Sequence, residues 1–168
     1  MSVLHTLFKL VDRSGAIPSA DAHCDIPCKI YDPSTAIIAA LSVVRMIDIM
    51  KEQSEKSGGS ALGLHNTLSR LVLQKEEEAE KVKHEIRVIW GDYFKAPQFE
   101  KHPDVHELAH KIMLKASACK QEVNRGDGEE LVELVNQFAE KFWDTKGVAT
   151  ERKTCPYPPS MDVVYPVL

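Results

Sequence analysis

The sequence predicts an all-α protein: an antiparallel four-helix bundle with a short cysteine-containing hook on its N-terminal side. Apolar residues recur at three- and four-residue spacings over four separate segments. Capping residues, prolines and glycines punctuate those segments where helices start and stop. The connections are mostly short, which favours antiparallel neighbours.

Residues 1–22 read as a removable pro-segment. Its apolar part is interrupted by His5, Lys9, Asp12 and Arg13, so it makes a poor secretory leader despite the Ala20-x-Ala22 ending. Residues 23–33 form the hook. The bundle is expected over 34–146. Asp32-Pro33 marks the first helix start, an N-cap carboxylate followed by proline. Ile37, Ile38, Leu41, Val44, Ile47 and Ile49 supply its apolar positions, and Ser57-Gly58-Gly59-Ser60 is expected to stop it. A second helix runs from Ala61 to Trp90 or beyond, its stripe passing through Leu64, Leu68, Leu71, Val72, Ala79, Val82, Ile86 and Ile89. Its acidic run, Glu76 to Glu80, reads as a solvated face. Tyr93 to His102 reads as an aromatic connection. Pro103 then opens a third helix with Leu108, Ile112 and Cys119 inward, and Gly126-Asp127-Gly128 is expected to end it. Leu131, Leu134, Val135, Phe138 and Phe142 line a fourth. Residues 147–168 hold Pro156, Pro158, Pro159 and Pro166, so they are not helical throughout and are expected to be a flexible or surface-wrapping extension.

Composition narrows the function. A chain of 168 residues suggests one domain, and removing 22 leaves enough for a substantial core. A net charge of -4 leaves no basic footprint, so no nucleic-acid partner is expected. No apolar run approaches the ~18 residues that span a bilayer, so no membrane partner is expected either. Cysteines at 24, 28, 119 and 155 are too few and too uneven for a disulfide scaffold. A reducing, cytoplasmic location is the simpler inference.

His23-Cys24-Asp25-Ile26-Pro27-Cys28-Lys29-Ile30-Tyr31-Asp32-Pro33 is the chemically dense stretch. A cut between Ala22 and His23 frees an amine. That amine and the Cys24 backbone nitrogen close a five-membered chelate ring on a metal, and the same nitrogen and the Cys24 sulfur close another fused to it. Cys28 can return over Pro27 to the fourth in-plane position, and the His23 imidazole can reach an axial one. Planar nitrogen and sulfur donors suit Ni(II) or Cu(II) rather than tetrahedral zinc.

This hook, with Tyr31-Asp32-Pro33, resembles the nickel hook of the nickel-containing superoxide dismutases. Trp90-Gly91-Asp92-Tyr93-Phe94-Lys95-Ala96-Pro97-Gln98-Phe99-Glu100-Lys101-His102-Pro103 resembles that family's W-x-D-Y-F-K-x-P-x-F-E-K-x-P run. The resemblance covers roughly residues 23 to 145. It implies a nickel cofactor held by His23, Cys24 and Cys28, with superoxide as substrate and Ni(III)/Ni(II) cycling as the redox chemistry. It also implies a maturation protease cutting before His23, and a homohexamer of four-helix bundles in which neighbours help bury each hook. Tyr31 would stand over the open metal face, Tyr93 near it, and backbone amides around Asp25 would line the anion's approach. Pro27 would limit the loop's freedom.

The chain departs from better-known members. Lys29 replaces the glycine that usually follows the second hook cysteine, which costs freedom if the position needs positive φ; it would also add a cation that attracts superoxide. In some members a glutamate and an arginine hold the axial histidine. Ungapped counting puts Ala39 at the first position and Glu78 at the second. Glu78 is therefore the expected acceptor for the His23 imidazole N–H, since a ligating histidine needs such a partner. Arg70 matches another family arginine and is expected to pair near the loop.

Two other classes compete. One is a nickel- or copper-binding bundle without catalysis. The other is a zinc peptidase, because His106-Glu107-Leu108-Ala109-His110 fits H-E-x-x-H, with His102 one turn earlier. No third ligand on a later helix is evident, so surface histidines on a bundle helix are the better reading.

Overall fold

The computed structural model describes residues 29–56 and 60–168. Helices dominate it. Helix α1 spans Ser34–Glu55, α2 Ala61–Val88, a short α3 Ala96–Lys101, α4 Val105–Gln121 and α5 Arg125–Thr145. A two-stranded hairpin follows, β1 Thr150–Thr154 and β2 Asp162–Pro166. Among the described residues, no helix is long and apolar enough to cross a membrane.

The four long helices enclose one core, each packing against two others: α1 against α2 and α5, and α4 against the same two. Helix α1 is the most enclosed. Ala36, Ala39, Ala40, Val43 and Val44 have no exposed surface, and small side chains there let both neighbours approach. Ile112, Leu131, Val135, Phe138 and Phe142 fill the space opposite. Burying a side chain of the Val, Leu or Phe class contributes roughly 1.5–3 kcal/mol each, and this cluster holds the helices together.

The Ser60 hydroxyl caps α2 by accepting the Gly63 N–H at 3.0 Å. The expected α2 stripe holds in its second half, where Ala79, Val82 and Ile86 are fully buried. Earlier it fails: Val72 is exposed, while Lys75 is 1% exposed. The Lys75 ammonium donates to the carbonyls of Cys119, Lys120 and Glu122, the unpaired C-terminal acceptors of α4. Lys75, beside the acidic run, is thus a buried cap for another helix.

Helix α2 closes in a π turn over Ile89–Tyr93, with Phe94 N–H bonding to the Ile89 carbonyl at 3.3 Å. Such wide turns recur at functional sites. The aromatic connection that follows contains α3, whose start is fixed by Gln98 Oε1 accepting the Lys95 N–H at 3.1 Å.

Gly126-Asp127-Gly128 does not end the third long helix. Helix α4 stops at Gln121, and both glycines lie in the first turn of α5, where the Asn124 side chain accepts the Gly126 N–H at 2.9 Å. Gly128 is there for closeness: a Cβ on it would sit 2.9 Å from Val44 Cγ2 of α1.

The C-terminal extension is a hairpin seated on α5. Its strands pair antiparallel, with Arg152 opposite Val164. Cys155, Val163 and Val164 are buried within the main core. The Asn136 amide of α5 donates to the Asp162 carbonyl at 2.9 Å and accepts the Val164 N–H at 3.1 Å. Arg152 bonds to Glu133 at 2.6 Å and to Glu140 at 2.7 Å, both on α5.

Candidate metal centre

The expected ligands His23, Cys24 and Cys28, together with Asp25, Pro27 and the cut before His23, lie outside the described residues. What the structure describes is the root from which they depart. Lys29 has φ 59°, in the left-handed region that favours glycine. Ile30 is 77% exposed. Tyr31 is half-buried, and Asp32 Oδ1 accepts the Ser34 N–H at 2.8 Å. The Pro33 carbonyl accepts the Ile37 N–H at 3.1 Å, so the chain passes from hook to helix within about one turn.

Tyr31 and Tyr93, the two tyrosines singled out from sequence, come together, their ring centroids 5.7 Å apart. The π turn presents Tyr93 from α2, and the Asp32-Pro33 start presents Tyr31 from α1. Tyr93 also packs on Phe142 at 4.8 Å and edge-on to Phe94 at 5.4 Å. Its hydroxyl lies 2.6 Å from Thr145 Oγ1, and that hydroxyl lies 2.6 Å from the Phe142 carbonyl. Thr145 has one proton, committed to the carbonyl, so Tyr93 is the donor of the pair. The Lys146 ammonium stands 4.6 Å from the Tyr93 ring centroid and 5.1 Å from that of Phe142. Two tyrosines, a hydroxyl relay and a cation thus meet where the hook begins.

Phe142, Thr145 and Lys146 as a set were not foreseen from sequence. Their signal was faint: Phe142 and Thr145 share a helix face at the end of an apolar stripe.

Glu78 and Arg70 do not join this cluster within the chain. Glu78 is half-buried in the middle of α2 and accepts from Gln74 at 3.3 Å. Fifteen residues separate it from Tyr93, roughly 20 Å along a helix axis. Arg70 is exposed and lines a surface groove with Met46, Thr67, Leu71 and Gln74.

The histidines of the H-E-x-x-H motif are engaged separately. His106 Nδ1 accepts the Trp90 indole N–H at 3.1 Å, and its ring stacks on Phe99 at 4.2 Å. His102 pairs with Asp144 at 2.7 Å, while His110 is exposed. Among the described residues, no three His, Cys, Asp or Glu side chains are grouped to hold a metal. Cys119 and Cys155 are buried free thiols. Burial pushes the Cys119 thiol up to about 11, and Cys155 donates to the Tyr157 carbonyl at 3.2 Å. Cys119 is therefore not poised as a thiolate.

The family model described as nickel-containing superoxide dismutase matches residues 18–146. The superoxide dismutase [Ni] of Streptomyces coelicolor is 37% identical over 128 residues, 76% of this chain and 91% of that protein. Its counterpart from Streptomyces seoulensis is 36% identical over 125 residues, covering 74% and 88%. The solved native nickel superoxide dismutase superposes with a TM-score of 0.65 at 35% identity, covering 74% of this chain and 99% of that one.

Proposed function

The chain belongs to the nickel-containing superoxide dismutase family, and on that premise we propose that residues 23–28 hold its nickel once the chain is cut before His23. It is a nickel-dependent oxidoreductase that converts two superoxide ions and two protons into dioxygen and hydrogen peroxide. The donor set fits the metal: two thiolates, an amine and an ionised amide are the planar, strongly donating ligands nickel takes. Bound there, nickel supplies a one-electron couple that takes an electron from one superoxide and returns it to the next.

The single observation that carries this reading is the Tyr31–Tyr93 pair standing at the root of the hook. Tyr31 would close the pocket beside the bound metal and hold water or the incoming anion by its hydroxyl. Tyr93, held by Thr145, fixes the Tyr31 ring and excludes larger ligands. Asp25 and Pro27 shape the loop so that backbone amides face the anion, and the left-handed turn at Lys29 directs Cys28 back toward the donors. His23 would supply a further nitrogen to the metal. Glu78, the proposed acceptor of its other ring N–H, and Arg70, proposed to pair near the loop, lie away from the Tyr31–Tyr93 cluster in their own chain, so a neighbouring subunit would bring them to the hook. Asp25, Tyr31 and Tyr93 are the residues proposed to touch or flank the reacting anion.

The wider architecture is proposed as an antiparallel four-helix bundle, supported by the way each long helix packs on two others. Assembly as a homohexamer, cleavage by a dedicated protease and a cytoplasmic location complete the reading. The test is N-terminal sequencing of the purified protein combined with elemental analysis and a superoxide-consumption assay. A start at His23 with about one nickel per chain is expected. Fully active material that still begins at Met1 overturns it, because Ala22 then acylates the required amine. The Glu78 role is tested by Glu78→Gln, which should alter the nickel spectrum; an unaltered spectrum removes it.

A further inference from the structure

The C-terminal hairpin lies outside the matched family region, which covers residues 18–146. Yet α5 carries dedicated receptors for it. Asn136 is 1% exposed and spends its whole amide on the backbone of β2, and Glu133 and Glu140 grip Arg152 of β1. The hairpin also meets the site from two sides. It begins immediately after Thr145 and Lys146, the residues against Tyr93. Gly147, at φ 71°, turns the chain out of α5, and the Val148 N–H returns to the Trp143 carbonyl at 3.0 Å. On its second strand, Val163, Tyr165 and Pro166 line a small cavity of about 110 Å³ together with Asp32 of the hook root and Ser34 and Ile37 of the first turn of α1.

We propose that this hairpin is a positioning element for the dismutase reaction, fixing the Thr145–Tyr93–Tyr31 contacts and the first turn of α1 from which the nickel hook departs. The nickel part of this claim rests on the function proposed above; the mechanical coupling does not. Clamping the end of α5 holds the Thr145 hydroxyl under Tyr93. Covering Asp32 and Ser34 holds the backbone that aims Tyr31. A relative without the hairpin must restrain these groups by other means, whereas this chain carries the brace within itself.

The test uses the full chain and two variants outside the proposed ligand set. Val163→Asp places a charge in the hairpin's buried seat, and Arg152→Ala removes its outer grip. Amide hydrogen exchange is read in the uncut, metal-free chain; nickel content, nickel spectrum and kcat are read in the mature one. For Val163→Asp, at least threefold faster exchange over residues 29–36 and 143–148 is expected, with unchanged helical circular dichroism. At equal nickel content, an altered nickel spectrum and roughly tenfold lower kcat are expected. Should Val163→Asp lose helix, Arg152→Ala decides, with the same changes expected at about half the size. Faster exchange confined to residues 150–166, with residues 29–36, spectrum and kcat unmoved, overturns the proposal. A wild-type chain that starts at His23 and lacks nickel would overturn the metal reading while leaving the exchange coupling to stand or fall alone.

Discussion

The two ends of the helix assembly use polar and aromatic groups for different ends. At the hook end, Tyr31, Tyr93 and Phe142 surround a hydroxyl relay and the Lys146 cation, and the nearby backbone adopts a left-handed turn at Lys29. At the other end, Lys75 closes the α4 carbonyls, Lys115 pairs with Asp127 and Glu130 at 2.7 Å each, and Arg125 pairs with Asp48 at 2.8 Å. Charges there are matched and helix termini capped. The difference teaches that this chain matches charges and caps helix ends at one end, and carries a left-handed lysine at the root of the proposed metal loop at the other, Ser160 of the hairpin turn sharing that conformation. Local strain of that kind clusters at functional sites.

If the division is sound, activity and stability should separate by region. The largest effect is expected from Cys24→Ser or Cys28→Ser, because their thiolates are the proposed nickel ligands. Nickel should fall to background and kcat/KM by at least about 10³-fold, the metal carrying the chemistry. Helical circular dichroism should persist, because the described core is built from residues between Ala36 and Val164. Retained activity would break the comparison at the hook end.

Lys75→Met should do the opposite. It deletes donors to three carbonyls at the end of α4 and keeps most of the side-chain volume. Leaving buried acceptors unpaired costs roughly 1–3 kcal/mol each before relaxation, so a net loss of about 2–4 kcal/mol is expected. Urea denaturation measures it, and kcat per nickel should be unchanged. A drop in kcat per nickel would show that the far end is coupled to the metal site after all.

Gly128→Ala is the next smaller probe. The added methyl meets Val44 Cγ2 at 2.9 Å, inside a core where Val44 is fully buried. Overpacking of this kind costs about 1–3 kcal/mol. The expected loss appears in denaturation, again with kcat per nickel unchanged.

These contrasts also show what was legible beforehand. The four long helices were readable because their apolar residues repeat at helical spacing and because Asp32-Pro33 and Ser57-Gly58-Gly59-Ser60 punctuate the first two. The Tyr31–Tyr93 pair was readable only through resemblance, since no periodicity brings residue 31 to residue 93. Lys75 was not readable: its partners are carbonyls 44 to 47 residues away, and carbonyls have no signature in sequence. The glycines at 126 and 128 misled, because glycine marks a helix end and a close helix crossing equally well. The hairpin was hidden by its prolines, which exclude helix without announcing a strand.

Lys29→Gly sharpens the comparison from the strained side. A lysine at φ 59° carries a left-handed penalty of about 1–2 kcal/mol that glycine avoids, while glycine's looser unfolded chain costs part of it back. A net gain of up to about 1 kcal/mol is expected. The same change removes a cation near the anion's path, so kcat/KM should fall two- to threefold at low salt and converge with wild type at high salt. A salt-independent fall would assign Lys29 to loop shape instead of steering.

Acid should produce the smallest effect, and it acts on the hairpin. Arg152 bonds to Glu133 and holds its carboxyl below the ordinary value of 4.5. A depressed carboxyl contributes stability that is fully present above 4.5 and is lost as pH falls through the depressed value. Both partners are more than a third exposed, so screening limits the contribution to under about 1 kcal/mol. Amide exchange in β1 and β2, corrected for the intrinsic pH dependence of exchange, should therefore quicken modestly below pH 4.5. In Arg152→Ala it should already be fast at neutral pH and lose most of that acid dependence. If acid loosened β1 and β2 equally in wild type and Arg152→Ala, the Glu133–Arg152 grip would not be what holds the hairpin on α5, and Asn136 with the buried valines would hold it alone.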